Sequence, residues 1–476
     1  MHWFVIGKLF PGKGRLTASH VFLLVVSYFF YMSWDWRFGF LMAFSTTLDY
    51  SIGIWMENAD KNQRSKHFAL IFSIITNIGF LSYFKYTDFF IESFIELVNA
   101  IAPGSYSGSD RERMLLHIIL PLGISFFTFQ SMSYTIDVYR KIIPAERNFI
   151  RFALFVSFFP QLVAGPIVVA RDFLPQLQKL PVFQIQEMRI AARWFFLGLI
   201  KKTVIADNMA GIVDPVFASP SMFDPFEHWV AAFAFWAQVY CDFSGYSDMA
   251  WGSAIALGYK LPENFRMPYL SFTVAEHWQR WHISLIKWIR DYLYIPLGGN
   301  RVSSVRHKFN IFLTMFAAGL WHGANWTYVI WGSIHGLILI IESTVESFIK
   351  KHNLRIHSMM LRIPVLFVLF LYTTFITVGF GTMFRAKNIS EALIILKRLL
   401  FIDVPFFHQL QPAFYRPVFF AVIAIYLSHF FGKLIFEKKL QPKINVYIEL
   451  AIIPVLIVLL TQLAAMNTAP FIYFVF

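Results

Sequence analysis

The stretch GLWHGANWTYVIWG, residues 319–332, lies inside a run of residues 309–341 that contains no Asp, Glu, Lys or Arg. A helix needs roughly 20 apolar residues to cross a bilayer, so this run is long enough to enter one. It nevertheless contains His322, and an ionisable side chain at membrane depth is costly and therefore a functional candidate. We expect Gly323 to end one helix directly after His322 and Asn325 to cap the next helix. The alternative is a structural histidine hydrogen-bonded to backbone carbonyls.

The composition of the whole chain agrees with a membrane location. Of its 476 residues, 57% are hydrophobic and only 14% are charged, whereas soluble domains contain about 25% charged residues. Further uncharged runs recur along the chain, among them the predicted spans at residues 114–136 and, last in the chain, 450–476, and we count about ten or eleven segments able to span a bilayer. Because open sheet edges cannot face lipid, the sequence predicts an all-α polytopic membrane protein, with re-entrant or interfacial helices beside the spans.

The positive charge is distributed as in a membrane protein. The net charge is +13, but the Lys and Arg residues are scattered in short loops between apolar segments. Membrane lipids, and not nucleic acid, are the expected partners of such loops. The positive-inside rule places the basic segments 57–66, 349–355 and 433–443 in the cytoplasm, and the polar loop 102–113 outside.

A second informative segment is EHWQRWHISLIKWIRDYLYIPLGGNR, residues 276–301. Its helical periodicity places tryptophans and aliphatic residues on one face and Arg280, Lys287, Arg290 and Asp291 on the opposite face. A helix lying in the membrane interface explains the tryptophans and the cations. It does not explain His282 within the aromatic face, so we expect His282 to face a functional cavity.

Three further features leave alternatives open. Pro160, Gly165 and Pro166 interrupt residues 152–170, which predicts a kinked packing helix or a re-entrant cavity wall. Asp242 and Asp248 lie in the apolar segment WAQVYCDFSGYSDMAWG, where they could pair with arginine, orient a histidine or lie in water at a loop end. The adjacent lysines at 201 and 202 could attract an anionic donor, or could mark a cytoplasmic helix end.

Other chemistries have no sequence signal. The single Cys241 excludes a disulfide framework and a thiolate metal cluster. The chain contains no P-loop, no His-Glu-x-x-His motif and no Gly-x-Ser-x-Gly nucleophile elbow. We therefore predict no metal site.

Four motifs together resemble the membrane-bound O-acyltransferase (MBOAT) family, and within it the bacterial alginate O-acetylation branch. They are SFFPQLVAGPI, YCDFSGYSDMAWG, HWQRWHISLIKWIRDYLYIPLGGNR and LWHGANWTYVIWG. The resemblance extends from about residue 20 to the closing APFIYFVF. It implies one transmembrane domain over residues 1–476, with its catalytic core in residues 152–345. The implied fold is a ring of about ten to twelve tilted helices around a central pore with a funnel on each side.

The resemblance also implies site residues. His322 matches the catalytic histidine of the family's LWHG motif, and His282 matches a second polar position about 40 residues upstream. His322 would act as general base or would itself be acylated, while His282 would stabilise the oxyanion or hold the acceptor. Burial favours the neutral ring of His322 and the helix end favours the charged one, so its net pKa shift stays open. We expect seven further residues to contact the substrates: Trp281, Arg290, Asp291, Asn300, Trp321, Asn325 and Asp242.

The implied function is transfer of an acetyl group from a cytoplasmic thioester across the bacterial inner membrane, for O-acetylation of a periplasmic or extracellular polysaccharide such as alginate. Acetyl-CoA is the expected donor, without a permanently bound cofactor, and a periplasmic polysaccharide O-acetyltransferase is the expected partner. The alternatives are D-alanyl transfer in teichoic acid modification and a non-enzymatic polysaccharide export or transport protein.

One departure from the branch concerns the N-terminus. Members usually begin with an additional hydrophobic helix, whereas residues 1–19 contain only MHWFVIGKLF before a basic loop. A truncated N-terminal helix is the corresponding expectation.

Overall fold

The computed structural model describes residues 14–353, 359–402, 404, 407, 411–437, 454, 456–458, 460–465 and 470–472. Regular structure in this part of the chain is helical, and none of these residues belongs to a β-strand. Residues 1–13 of the expected N-terminal helix and most of the expected last span lie outside the described residues, as does the basic segment beyond residue 437.

The chain forms two compact units, Met1–Arg193 with Ala250–Pro262, and Trp194–Met249 with Glu263–Phe476. This division does not test the prediction of one transmembrane domain, which stays a prediction. The helices that belong to the first unit are Gly14–Met32, Trp36–Asn58, Gln63–Ile101, Gly108–Met114, Ile124–Tyr139, Phe149–Ser157, Phe159–Leu162, Ala170–Phe173 and the 3₁₀ turn Gln176–Gln178. The helices Ile185–Ile200 and Pro225–Ala256 contribute residues to both units.

The second unit contains the longer C-terminal helices and several short turns. Its α-helices are Asp207–Ala218, Val274–Arg280, Ile283–Ile289, Ser304–His322, Trp326–Lys351, Met359–Gly379, Ile389–Leu399 and Pro412–Gly432. The π-helical segments are Lys201–Ala206, Arg290–Tyr294 and Lys433–Glu437, and the 3₁₀ turns are Pro220–Met222, Pro268–Leu270 and Phe380–Phe384.

Five helices among the described residues are long and apolar enough to cross a membrane: Gly14–Met32, Gln63–Ile101, Trp326–Lys351, Met360–Phe384 and Pro412–Ile435. Their number agrees with a multi-pass protein. The ring of ten to twelve helices stays a prediction.

The structure corrects the predicted span at residues 114–136. Its helix begins only at Ile124 and has 16 residues. Pro121 and Gly123 precede it, and the positive φ of 71° at Gly123 is a left-handed conformation that interrupts a right-handed helix. The apolar run therefore enters the first unit as a non-helical segment followed by a short, mostly buried helix.

The predicted interruption of residues 152–170 is confirmed. The Phe149–Ser157 helix ends before Pro160, a single turn follows at Phe159–Leu162, and the chain is then irregular up to Ala170. Almost all side chains of this segment are buried within the first unit, as expected for broken helices at membrane depth.

A buried polar network joins three helices of the first unit. Asp49 accepts hydrogen bonds from Ser73 Oγ at 2.7 Å and from Asn77 Nδ2 at 2.9 Å. Ser73 Oγ also lies 3.0 Å from Thr135 Oγ1. A carboxylate without solvent contact needs such donors, so this network fixes the mutual position of the helices Trp36–Asn58, Gln63–Ile101 and Ile124–Tyr139.

The Ser304–His322 and Trp326–Lys351 helices form the central hairpin of the second unit. Gly319 and Gly332 face each other where the helices cross, and a Cβ at Gly319 would lie 3.0 Å from the Gly332 Cα atom. Small residues permit this close approach of two backbones. The hairpin carries the histidine predicted from the sequence.

The Gln63–Ile101 helix allows a direct test of the predicted orientation. With 39 residues it is about 58 Å long, more than a bilayer requires. Because the basic loops predict a cytoplasmic start, Ser105→Cys should react with an impermeant maleimide in intact cells, and Lys61→Cys only after permeabilisation. The native Cys241 is buried, which keeps its background reaction low. Labelling of Lys61→Cys in intact cells would show that the orientation is the reverse of the predicted one.

Candidate active site

His322 is the last residue of the Ser304–His322 helix, as the sequence predicted. Gly323 follows in an extended conformation, and Asn325 caps the next helix by accepting a hydrogen bond from Thr327 N at 2.9 Å. The imidazole is buried, with its ring centroid 5.6 Å from Trp331 and 5.1 Å from Phe384. The helix break therefore presents the imidazole at the end of a helix, against aromatic rings.

A cavity with an empty volume of about 650 Å³ lies at this position in the second unit. Its wall is mostly aromatic and includes four tryptophans and three histidines, Trp236, Trp278, Trp281, Trp331, His277, His322 and His335. No Asp, Glu, Lys or Arg is among the described residues that line it. A concave, largely apolar pocket with a few polar groups is the usual form of a small-molecule site.

The structure corrects the predicted continuous helix over residues 276–301. The segment forms two short helices, Val274–Arg280 and Ile283–Ile289, separated at Trp281 and His282. His282 has a positive φ of 44°, an uncommon left-handed conformation for a residue other than glycine. Backbone hydrogen bonds from Arg266 N to Arg280 O and from Ile283 N to Asn264 O hold the break in place.

The break separates the two residues that the helical pattern placed on one face. Trp281 lines the cavity, whereas His282 is fully buried and is not part of the cavity wall. His282 Nδ1 donates to Asn264 Oδ1 at 3.0 Å, because an amide oxygen can only accept. Burial, together with the nearby His322, lowers the pKa of His282 well below its ordinary value. The neutral ring therefore carries its lone pair on Nε2.

Trp321 connects the two predicted histidines. Its ring centroid lies 6.0 Å from that of His282 and 5.1 Å from that of His322. Trp321 itself is buried outside the cavity wall. The structure thus brings His282, Trp321 and His322 together, with only His322 facing the space.

The remaining predicted contact residues are not part of the cavity wall. Arg290 and Asp291 form an ion pair at 2.8 Å, with most of the arginine side chain in solvent. Asn300 is exposed. Asn325 is engaged in its helix cap, and its Nδ2 donates to Lys387 O at 2.8 Å. Substrate contact by these four residues stays a prediction that this geometry does not support.

Asp242 is a member of a buried ion-pair cluster. Its carboxylate lies 2.7 Å from Lys202 Nζ and accepts a hydrogen bond from Ile472 N at 2.6 Å. Lys202 also pairs with Asp207 at 2.8 Å. These contacts support a structural role, with lysine in place of the arginine or histidine partner that the sequence suggested. Lys201 likewise pairs with a carboxylate, that of Asp248, at 2.6 Å.

The sequence interpretation missed two histidines of the cavity wall, His277 and His335. His335 lies in the same uncharged run as His322, so the criterion of an ionisable residue at membrane depth applies to it equally. His277 lies close to Glu276 and Arg280 in the sequence, and because of these charged neighbours the same criterion did not select it.

The fold and the site thus define a helical protein with membrane-spanning helices and a histidine-containing aromatic cavity. Comparison with known proteins shows the family to which such a protein belongs. Residues 140–384 match the model of the membrane-bound O-acyltransferase family, and the chain belongs to this family. The protein is therefore a multi-pass membrane acyltransferase.

Three relatives show the range of the similarity. The chain is 41% identical to the "Probable alginate O-acetylase AlgI" of Pseudomonas aeruginosa, over 82% of this chain and 72% of the relative. It is 35% identical to the "Peptidoglycan O-acetyltransferase" of Helicobacter pylori, over 80% and 73%. It is 27% identical to the "Teichoic acid D-alanyltransferase" of Streptococcus thermophilus, over 60% and 72%.

The ion-pair cluster yields a prediction about stability. Lys202→Met should destabilise the protein by about 3–5 kcal/mol, because it leaves two carboxylates buried without their cation. The apparent midpoint of thermal unfolding in detergent measures this loss. Lys351 is exposed, so Lys351→Met serves as the matched control. Adding Asp242→Asn to Lys202→Met should recover part of the loss, and a Lys202→Met protein of unchanged stability would contradict the structural role.

Proposed function

We propose that the protein is a membrane-bound O-acetyltransferase that moves an acetyl group from a cytoplasmic thioester, acetyl-CoA, toward a polysaccharide outside the cytoplasm. The observation that carries the proposal is the position of the buried His322, at a helix end and in the wall of an aromatic cavity. Two relatives at 41% and 35% identity are named for O-acetylation, whereas the D-alanyl-transferring relative is 27% identical, which favours acetyl over D-alanyl transfer.

In the proposed reaction, the neutral ring of His322 accepts the proton of an acceptor hydroxyl while the oxygen attacks the thioester carbonyl carbon. The new C–O ester bond forms, the C–S bond breaks, and the leaving thiolate takes the proton from the imidazolium. Direct acylation of His322 is the alternative, and it requires two acyl transfers in place of one.

The hydrogen bond of His282 argues against one of its two predicted roles. A neutral His282 with its proton on Nδ1 has an acceptor at Nε2 and cannot donate from that atom to an oxyanion. Because His282 also lies outside the cavity wall, we assign it to orienting Trp321, the aromatic neighbour that it shares with His322, and Asn264 is the residue that positions it.

The remaining parts of the proposal concern location and partner. The basic loops and the apolar helices support residence in the bacterial inner membrane, with the donor entering from the cytoplasm. A periplasmic O-acetyltransferase would complete transfer to the polysaccharide, such as alginate. A transport function without chemistry is not favoured, because the family is one of acyltransferases.

His322 gives the direct test of the proposed function. His322→Ala and His322→Gln should both lower acetyl transfer by about 10²–10⁴-fold, because neither side chain can exchange a proton at neutral pH. The measurement is polysaccharide acetylation in cells that produce equal amounts of each protein.

The matched control is His352→Gln, which changes an exposed histidine in the turn after the Trp326–Lys351 helix. It should retain full activity. A folded and active His322→Gln protein would mean that His322 has a structural role and does not act as the base.

His282 and Asn264 give a second prediction. His282→Ala should lower acetyl transfer by about 10- to 100-fold, and Asn264→Leu should lower it similarly by releasing the imidazole from its position. The double variant should lose little more than either single one, because both changes remove the same interaction. Asn264→Asp retains the acceptor oxygen and should be less affected. Full activity of His282→Leu would show that the residue only fills space.

A further inference from the structure

The two histidines missed by the sequence interpretation, His277 and His335, are held in opposite tautomers. His277 Nδ1 lies 3.3 Å from Pro268 O and must donate to it, because a carbonyl oxygen only accepts. Trp278 Nε1–H donates to His335 Nδ1 at 3.4 Å, so this nitrogen carries the lone pair. In the neutral rings, Nε2 is therefore an acceptor on His277 and an N–H donor on His335.

Both of these Nε2 atoms are available to a ligand. His277 and His335 line the cavity, and neither Nε2 atom bonds to any residue in the described part of the chain or is sealed from the cavity. Burial lowers the pKa of His277 to about 4, so this ring is neutral at physiological pH. The pair thus offers one acceptor and one donor without charge.

Two tryptophan rings connect His277, His335 and His322. The Trp278 ring contacts two of them, with centroid distances of 5.6 Å to His277 and 5.4 Å to His335. The Trp331 ring contacts both His335, at 4.7 Å, and His322, at 5.6 Å. One indole therefore separates His335 from the proposed base.

The position of His335 along its helix indicates the donor side of the site. His335 lies about 13 Å beyond the start of the Trp326–Lys351 helix, in the direction of Lys350 and Lys351. The basic end of this helix is the one assigned to the cytoplasm. A thioester donor entering from the cytoplasm would pass His335 before its carbonyl reaches His322.

We propose that His277 and His335 bind the secondary amide of the acyl donor's arm that lies nearest to the thioester. An amide carbonyl would accept from His335 Nε2–H, and the amide N–H would donate to His277 Nε2. A two-carbon link joins this amide to the thioester sulfur in the pantetheine arm of acetyl-CoA. The assignment rests on the proposed function, which supplies the thioester.

Two thioesters of equal length test the assignment. N,S-diacetylcysteamine contains the amide, and S-pentyl thioacetate replaces it with methylene groups. In detergent, with an alginate oligosaccharide supplied as the hydroxyl acceptor, the full-length protein should release thiol from the amide-containing donor with the higher kcat/KM. His335→Leu and His277→Leu should each lower that kcat/KM by about 10-fold, the effect of one lost buried hydrogen bond, and leave the amide-free donor unchanged.

Conservative and control variants separate recognition from packing. His335→Gln supplies an N–H donor and His277→Gln supplies an acceptor oxygen, so both should recover much of the amide preference. His228→Leu is the control, because His228 is a buried histidine outside the cavity wall and its Nδ1 also bonds to a backbone carbonyl. This change should leave kcat/KM for both donors unaltered.

Each other outcome identifies which proposal fails. An equal loss on both donors would make the histidines packing residues and overturn the assignment. An unchanged donor preference with a raised KM for the acceptor would also overturn it, by moving the pair to the acceptor side. A wild-type protein that uses acetyl-CoA without preferring the amide-containing donor refutes the amide site alone. One that releases thiol from no thioester refutes the proposed function as well.

Discussion

The position of His322 depends on a close contact between Gly323 and the ring of Tyr328. Any side chain at residue 323 would occupy the space of the tyrosine ring carbons, so the ring can lie against the backbone only at a glycine. The Tyr328 hydroxyl then donates to Phe384 O at 3.3 Å, and the Phe384 ring contacts His322. A helix end at membrane depth is costly unless protein surrounds it, and this contact supplies part of that surrounding.

Local features that depend on residues close in the chain could be predicted from the sequence. Features that depend on contacts between distant residues could not. The helix end at Gly323 and the cap at Asn325 depend only on their neighbours, and both predictions are confirmed. The left-handed conformation of His282 depends on Asn264, whose backbone and side chain bind the turn across a chain separation of 18 residues. Periodicity alone predicts an unbroken helix there.

The second unit has two polar regions, the ion pairs of lysines 201 and 202 and the cavity wall, and they differ in charge. Lysines 201 and 202 lie in buried ion pairs with three carboxylates, which compensates the cost of removing them from water. The cavity wall instead uses uncharged polar groups, among the residues that the structure describes there. The sequence alone does not distinguish an ion pair from a substrate contact at Asp242, because a carboxylate in an apolar segment fits both.

The neutral wall limits how the proposed transfer can proceed. Negative charge that develops on the thioester oxygen has no cation in the wall to stabilise it, so it must be stabilised by N–H or O–H donors or must not accumulate. Proton transfer to His322 during attack keeps the reacting groups close to neutral overall, which matters in a medium of low dielectric constant. Because the same proton then passes to the leaving thiolate, His322 returns to its neutral form without exchanging a proton with bulk water. A buried histidine among aromatic rings suits that cycle better than a charged residue would.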